Sequence, residues 1–115
     1  MSTPDSQPFG VRTTSTGSSL LVEVAGDVDM TTAPELSQAI ERAPDGTELV
    51  VIDLSDVSFL DSSGLNALVQ GRRTLAERDV AMTVVVPPEG TIRQVFEITR
   101  LTEALTVIDA RPSLS

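Results

Sequence analysis

The apolar positions of this chain follow one pattern before residue 30 and another after it. Two short β-type runs, Phe9 to Thr14 and Ser18 to Ala25, flank the turn residues Ser15-Thr16-Gly17. Runs arranged in this way are typical of a hairpin, so the chain is predicted to begin with two antiparallel strands. Gly26 to Thr31, which contains two aspartates, is predicted to be a loop.

Beyond that loop, segments with helical spacing alternate with short continuous apolar runs. The pattern predicts helices over 32–43, 62–78 and 91–98 and strands over 48–54, 80–86 and 105–109. Strands that alternate with helices pair mostly in parallel, because each helix returns the chain to the end of the sheet at which the previous strand began. The predicted fold class is therefore α/β: a small single domain with a mixed, mostly parallel sheet, an N-terminal antiparallel hairpin, and helices packed against the sheet.

Local signals place the ends of the helices and the buried positions. Thr31 or Thr32 is expected to cap the first helix, with Glu35 within capping-box reach of Thr32. The second helix is expected to bury a stripe formed by Leu65, Leu68, Val69, Leu75 and Ala76. The most buried residues of the fold should include Leu49, Val51, Leu68, Val84 and Phe96.

Length and composition fit one domain with an aliphatic core. The chain has 115 residues, of which 40% are hydrophobic and only 3% aromatic, with no Trp or Tyr. We expect the domain to cover residues 9–110, and the polar, Pro-containing segments 1–8 and 111–115 to be flexible termini. The chain has no Cys, no apolar run near the roughly 20 residues that cross a bilayer, and no signal peptide. These features indicate a cytoplasmic protein.

The charge balance is strongly acidic. The chain carries 17 acidic and 8 basic residues, for a net charge of −9. Such an excess argues against a direct nucleic-acid partner and against an anionic membrane surface, since both are bound mainly through Lys and Arg. It keeps a small domain soluble, and it would steer a partner with a basic patch towards the chain.

The residues Asp61-Ser62-Ser63-Gly64 stand where an apolar strand is predicted to end and the second helix to begin. A hydroxyl there is exposed at the positive end of the helix, and backbone N–H groups without intrahelical partners would partly accommodate a phosphate. The chain has no His and no Lys, so these serines lack the usual base of a catalytic nucleophile. Ser62 is therefore interpreted as a residue that another enzyme modifies, unless it serves only as the N-cap of the helix.

Two other kinds of chemistry have weaker support. Mg²⁺ could bind if the aspartates at or near strand ends converge in a carboxylate-based enzyme: Asp27, Asp29, Asp53, Asp56 and Asp61. Aspartates also populate loops simply because they cap helices and form turns. Both glycine-rich phosphate-binding motifs are absent, so nucleotide binding would rest on a helix N-terminus alone. We therefore expect no metal and no cofactor.

Three segments of the chain, taken in order, carry a family pattern. They are residues 26–36 (GDVDMTTAPEL), residues 50–65 with VVIDLS and FLDSSGL at their two ends, and residues 95–101 (VFEITRL). The first resembles a Gly-acidic-x-Asp loop and first helix, the second a central strand with a phosphorylation motif, and the third a helix with its following turn. Over roughly residues 9–109 the chain resembles the STAS domains of bacterial anti-sigma factor antagonists.

The resemblance implies a regulatory binding module and not an enzyme. Unphosphorylated members bind an anti-sigma factor that is also a serine kinase, which frees a sigma factor for transcription, as in a stress response. Phosphorylation of the first serine of the motif, here Ser62, blocks binding, and a metal-dependent serine phosphatase restores it. The residues implied in partner binding are Asp27, Asp29, Met30, Asp56, Asp61, Ser62, Ser63, Gly64 and Leu65. The alternative is a STAS-type ligand or nucleotide sensing module that phosphorylation does not regulate, and the oligomeric state is left open.

Two departures from the family pattern affect these expectations. Family members usually carry Gly where this chain has Arg100, and an arginine is unfavourable in a left-handed turn, so the third helix is expected to end differently. Many members also have a further helix after the last strand. The segment 111–115 leaves little room for one, which puts any partner contact through such a helix in doubt.

Overall fold

A five-stranded sheet forms the frame of the molecule. The computed structural model describes residues 8–113, so the predicted flexible residues 1–7 and 114–115 lie outside the described residues. The strands are β1 (Gly10–Thr16), β2 (Ser19–Val28), β3 (Leu49–Leu60), β4 (Ala81–Val85) and β5 (Thr106–Ile108). The helices are α1 (Ala33–Glu41), α2 (Ser62–Glu77), α3 (Thr91–Ile98) and α4 (Leu101–Ala104).

The strands lie in the sheet in the order in which they occur along the chain. β1 and β2 form an antiparallel hairpin whose turn includes Gly17 at a φ of 60°, a left-handed conformation that glycine adopts without steric cost. β2 pairs in parallel with β3, β3 with β4, and β4 with β5. The predicted fold class is thus confirmed. Within residues 8–113, every helix is too short or too polar to cross a membrane.

The helices pack on one face of the sheet and enclose the main hydrophobic core. Leu36 of α1, Leu68 of α2 and Phe96 of α3 are fully buried there. Of the five residues predicted to be most buried, four are fully enclosed, but Leu49 is only partly buried because it begins β3 on the other face.

The buried stripe of α2 differs from the predicted one. It consists of Gly64, Ala67, Leu68, Gly71 and Leu75, whereas Leu65 and Val69 are only partly buried and Ala76 is exposed. The two glycines belong to the stripe because they allow close approach of neighbouring elements. A Cβ at Gly71, for example, would lie 2.9 Å from Ile40 Cδ1 of α1. The spacing of apolar side chains does not reveal these contact positions, because glycine has no side chain to add to the pattern.

In the described part of the chain, no helix packs on the other face of the sheet, which we call the helix-free face. Leu21, Val51 and Val85 form a small buried cluster on it. Arg111, which falls in a segment predicted to be flexible, bonds to both Asp53 and Glu23, with Nη2 at 2.5 Å from Glu23 Oε2. These two carboxylates share the helix-free face with Leu21 and Val51, because side chains alternate along each strand.

Asp53 is the buried charged group of this cluster, with only 5% of its surface exposed. Its Oδ1 accepts a hydrogen bond from the backbone N–H of Ser55 at 2.9 Å, and its Oδ2 accepts one from Arg111 Nε. Burial raises the pKa of Asp53, but the bonds from Ser55 and Arg111 outweigh burial and hold the pKa below its ordinary value. The carboxylate is therefore ionised and paired.

β3 is longer than predicted, running from Leu49 to Leu60 instead of 48–54. Its register against β2 shifts twice, between Glu23 and Ala25 and again between Gly26 and Asp27, and at each shift β3 contributes one residue more than β2. Such bulges bend a strand and redirect its side chains. The polar residues at the bulges break the apolar pattern, so the strand predicted from that pattern ends at residue 54. Residues 26–28, predicted to be a loop, belong to β2 because they pair with the extended part of β3.

The turn after α3 keeps a left-handed residue although that residue is an arginine. Arg100 has φ 61° and ψ 24°, and α3 ends at Ile98, where the helical spacing predicts its end. The expectation that Arg100 would change how the helix ends is therefore wrong. The chain accepts the conformation at a cost of roughly 1–2 kcal/mol, and the short helix α4, which was not predicted, follows at once.

Candidate functional site

The C-terminal ends of β2 and β3 bring two helix starts side by side. Asp27 pairs with Phe59 and Val28 with Leu60 in the sheet, and the N–H of Asp61 donates to the carbonyl oxygen of Val28 at 3.2 Å. α1 and α2 begin a few residues later. Residues 27–32 and 56–65 therefore form one surface, which we call the Ser62 end of the sheet.

Asp61 is the N-cap of α2. Its Oδ1 accepts hydrogen bonds from the N–H groups of Ser63 at 2.8 Å and Gly64 at 3.2 Å, and its carbonyl oxygen accepts one from Leu65 at 3.0 Å. Ser62 is thus the first residue of the helix, and the alternative that it serves as the N-cap is wrong. The expectation of open N–H groups for a phosphate is also wrong at Ser63 and Gly64, because the Asp61 carboxylate already occupies them.

The two serines of the motif differ in exposure because Gly64, the residue after them, packs closely on the ends of β2 and β3. Ser62 is exposed, Ser63 is half-buried and Gly64 is buried. A Cβ at Gly64 would lie 2.9 Å from Val28 Cγ1 and would collide with the side chain of Leu60. The first turn of α2 therefore lies directly on the ends of β2 and β3, with Ser62 on its outer side.

An aspartate also organises the turn before α1. Asp29 Oδ1 accepts hydrogen bonds from the N–H groups of Thr31 at 2.9 Å and Thr32 at 3.1 Å, and Thr32 Oγ1 donates to the carbonyl oxygen of Asp27 at 2.8 Å. The predicted capping box is therefore wrong, since the side chain of Thr32 bonds to Asp27 earlier in the chain and makes no capping hydrogen bond to the helix. Asp29 fixes the turn, and Met30 at its tip is 78% exposed.

Four of the five aspartates singled out in the sequence lie at the Ser62 end: Asp27, Asp29, Asp56 and Asp61. Among residues 8–113, none of these four takes part in an ion pair. Asp53 lies apart from them on the helix-free face with Arg111. Across the same residues, no group of three or more acidic side chains is placed to hold a metal ion, so the geometry gives the Mg²⁺ enzyme no support.

Phe59 belongs to this surface and was not among the predicted site residues. It is 51% exposed, while the next residue, Leu60, is 4% exposed. The sequence shows two adjacent apolar residues and cannot tell which one faces the core, because the answer depends on the second bulge of β3. Leu65, by contrast, is at the Ser62 end but partly buried against the core.

Comparisons with known proteins agree with this geometry. The sequence model of the family described as "Mlab, STAS domain" matches residues 11–108. The anti-sigma-B factor antagonist of Staphylococcus aureus (strain NCTC 8325 / PS 47) is 31% identical over 100 residues, which cover 86% of this chain and 92% of that protein. An anti-sigma factor antagonist from Mycobacterium paratuberculosis has a similar structure, with a TM-score of 0.78, 32% identity, and coverage of 96% of this chain and 92% of that one.

The fold is also that of SpoIIAA in its unphosphorylated form, with a TM-score of 0.67, 20% identity and coverage of 90% of each chain. The family match spans all five strands and all four helices but for the first residue of β1. It also contains the three segments in which the sequence resembles the family. The chain belongs to the STAS domain family, among the bacterial anti-sigma factor antagonists.

Proposed function

We propose that this chain is an anti-sigma factor antagonist switched by phosphorylation of Ser62. The unphosphorylated form binds an anti-sigma factor that is also a serine kinase, and so frees a sigma factor. Phosphorylation blocks the binding, and a serine phosphatase restores it. In this proposal the acting unit is residues 9–110, the chain works in the cytoplasm, and it is the substrate of other enzymes without catalysing a reaction itself.

The observation that carries the proposal is the exposure of Ser62 on an otherwise closed helix start. Its neighbours Asp61, Ser63 and Gly64 are tied down by capping bonds and packing, while Ser62 is exposed. The names of the relatives support the same role, and SpoIIAA, which shares the fold, has also been solved in a phosphorylated form. The proposed contact residues are Asp27, Asp29, Met30, Asp56, Asp61, Ser62, Ser63, Gly64 and Leu65.

A phosphate on Ser62 would act mainly through its charge. It adds about −1.5 to −2 charges at neutral pH, next to the Asp61 carboxylate that holds the N–H groups of Ser63 and Gly64. In the free domain the phosphate stays solvated, so the fold tolerates it. In a close interface an unpaired charge loses its water, which costs several kcal/mol. Since each 1.4 kcal/mol is tenfold in affinity, we expect a loss of roughly 10²-fold or more.

The choice of Ser62 over Ser63 is tested with two matched variants. The purified anti-sigma factor kinase from the source cell is incubated with ATP and with wild type, Ser62→Ala or Ser63→Ala, and incorporation is read by intact mass. One phosphate should enter the wild type and Ser63→Ala, and none should enter Ser62→Ala. Undiminished incorporation into Ser62→Ala would refute the assignment, and no incorporation into wild type would favour the sensor alternative.

Whether the block is local is tested by binding and by NMR. Ser62→Ala should bind the kinase like the wild type, and Ser62→Glu should weaken binding, though less than a phosphate, because it adds one charge. Amide chemical shifts that change on phosphorylation should cluster at residues 26–31 and 56–66. Changes spread through the sheet and α3 would instead indicate an allosteric switch.

A further inference from the structure

We propose that Phe59 and Met30 are the apolar anchors of the partner interface, and that the partner receives them in apolar sockets surrounded by a basic rim. This inference rests on the proposed function. It adds which side chains of the Ser62 end carry the affinity and what kind of surface must face them.

The distribution of exposed apolar side chains points to these two residues. In the described chain the large exposed hydrophobic side chains are Met30 at 78%, Phe59 at 51% and Ile98 at 81%. The first two lie at the Ser62 end, where Phe59 precedes Ser62 by three residues. Aromatic residues and Met are enriched in protein interfaces, and Met adapts to irregular sockets.

The backbone, and not side-chain packing, holds both residues outward. Phe59 stands at the second bulge of β3, which turns it away from the core that receives Leu60. Met30 stands at the tip of the turn fixed by the hydrogen bonds of Asp29, at the mouth of an open groove of about 450 Å³ between α1 and α2. A backbone that is already fixed loses little further conformational freedom on binding, which favours affinity.

The charges around the anchors define the partner's chemistry. Asp27, Asp29, Asp56 and Asp61 lie at the same end, and within residues 8–113 their side chains take part in no ion pair. Between residues 26 and 71 the sequence contains a single basic residue, Arg42, which stands at the far end of α1. Arg12 of β1 lines the same cavity as Asp56, but within residues 8–113 the two form no ion pair. A second copy of this chain would bring the same carboxylates into contact, and like charges at an interface repel. The occupant is therefore another protein with a basic rim.

This arrangement is compatible with the block by phosphorylation. Interfaces have a dry apolar centre and a polar rim, and charged groups are depleted from the centre. Ser62 follows Phe59 by three residues in the sequence, and its neighbour Ser63 lines the same groove as Met30. A phosphate on Ser62 would therefore lie beside the anchors, in the part of the interface that loses its water. The aspartates pair with basic side chains at the rim of the partner. Those side chains do not reach a phosphate on Ser62 at the centre of the interface, so its charge stays uncompensated.

The anchor claim is tested with Phe59→Ala, Met30→Ala and the matched control Ile98→Ala. Ile98 is at least as exposed as either anchor, but α3 carries it away from the Ser62 end, towards the N-terminal end of β5. The probe is the purified anti-sigma factor kinase of the source cell, and affinity is measured by calorimetry. We expect Phe59→Ala to weaken binding about 30-fold, the effect of a typical hot-spot residue, and Met30→Ala about 5- to 10-fold. Ile98→Ala should stay within about twofold.

The charge claim is tested with two double variants of equal net charge. Asp27→Asn/Asp56→Asn removes two carboxylates at the Ser62 end, and Asp45→Asn/Glu48→Gln removes two at the opposite end of β3. Rim charges act mainly on the association rate. Asp27→Asn/Asp56→Asn should therefore lower the association rate about tenfold at low salt and make it depend less on ionic strength. Asp45→Asn/Glu48→Gln should leave the association rate and its salt dependence unchanged. Equal effects of the two would show that only the net charge matters.

The outcomes separate this inference from the proposed function. If the wild type fails to bind the kinase, the proposed function fails. If the wild type binds and Phe59→Ala and Met30→Ala bind within about twofold of it, only the anchors are refuted. Thermal denaturation checks that each variant is folded, and Phe59→Leu, which keeps an apolar side chain, should recover most of the affinity. Self-association of the wild type that Phe59→Ala abolishes would overturn the claim of a basic partner.

Discussion

The two faces of the sheet are stabilised in different ways. The helix-covered face buries one continuous aliphatic core that includes Leu36, Leu68 and Phe96. The helix-free face buries three hydrophobic residues beside the ionised Asp53 and its partner Arg111. The first face therefore depends mainly on packing, whereas the second depends on packing together with a buried carboxylate that must stay paired. The pairing of Asp53 should make the stability of the second face respond to pH.

The largest expected effect belongs to the helix-covered face. Phe96→Ala should lower the free energy of unfolding by about 3–5 kcal/mol, because the ring is fully enclosed and its loss leaves a cavity. Ile98→Ala, on the same helix but 81% exposed, should change the free energy of unfolding by less than about 0.5 kcal/mol. Urea denaturation measures both. A loss below about 1 kcal/mol for Phe96→Ala would mean that this face of α3 is loosely packed.

The next effect tests the close contact that places Ser62. Gly64→Ala should cost about 1–3 kcal/mol, because its methyl group would collide with Leu60 and lie 2.9 Å from Val28 Cγ1. Gly10→Ala is the control, since a Cβ there meets no atom within 4 Å. Thermal denaturation of the two variants decides the matter. Equal stability would show that α2 can move away from the sheet without cost.

The helix-free face is tested through pH. The pKa of Asp53 is held below its ordinary value in the folded state, so its contribution to stability is present above the unfolded pKa of about 3.9. That contribution is lost as the pH falls through the folded pKa. Arg111→Gln should therefore destabilise the domain most at neutral pH, and the deficit should shrink below about pH 4. We expect the effect to be smaller than that of Gly64→Ala, because the Arg111 side chain is 46% exposed.

Arg73→Gln, an exposed change of the same type on α2, is the control for the pH experiment. Its stability should differ little from that of the wild type at every pH between 3 and 7. If the deficit of Arg111→Gln stays constant across this range, Asp53 does not depend on Arg111 for its ionisation.

The smallest effect concerns a residue in a turn at the end of α3. Arg100→Gly should stabilise the domain by about 0.5–1 kcal/mol, because relief of the left-handed strain exceeds the entropy that glycine loses on folding. Asp79, at a φ of 59°, is the matched case, and Asp79→Gly should gain less, since Asp tolerates this conformation better. Comparing the two melting temperatures tests the order. A larger gain at Asp79 would reverse it.

The sequence predicts the frame of the fold because the frame follows from periodicity. α2 and α3 lie where the helical spacing places them, and the hairpin is marked by Gly17. Errors occur where local polar groups override the apolar pattern, as at the bulges of β3. The carboxylates of Asp29 and Asp61, and not the hydroxyls of Thr32 and Ser62, accept hydrogen bonds from two of the following N–H groups at the two helix starts. The sequence does not decide between them, because several side chains in each turn are chemically capable of that role.

The candidate site could be predicted in part, because Asp61-Ser62-Ser63-Gly64 are contiguous in sequence. Phe59 could not, since its exposure depends on a bulge that only the pairing with β2 reveals. The sequence alone groups Asp53 with the four aspartates of the Ser62 end, but its position in β3 puts it on the helix-free face, paired with Glu23 of β2. Its cation, Arg111, lies 58 residues away, beyond the reach of any local pattern.

The two bulges of β3 also constrain how this chain can evolve. At each bulge the inward positions are three residues apart instead of two, as Leu54, Val57 and Leu60 show. Two consecutive residues therefore point outward at each bulge, Ser55 with Asp56 and Ser58 with Phe59. Removal of one of them would restore regular pairing and take away the bend of the strand, at the loss of one outward side chain. Substitution of any of the four leaves the inward residues in place, so this segment can change its chemistry, and through it its partner preference, while its length stays fixed.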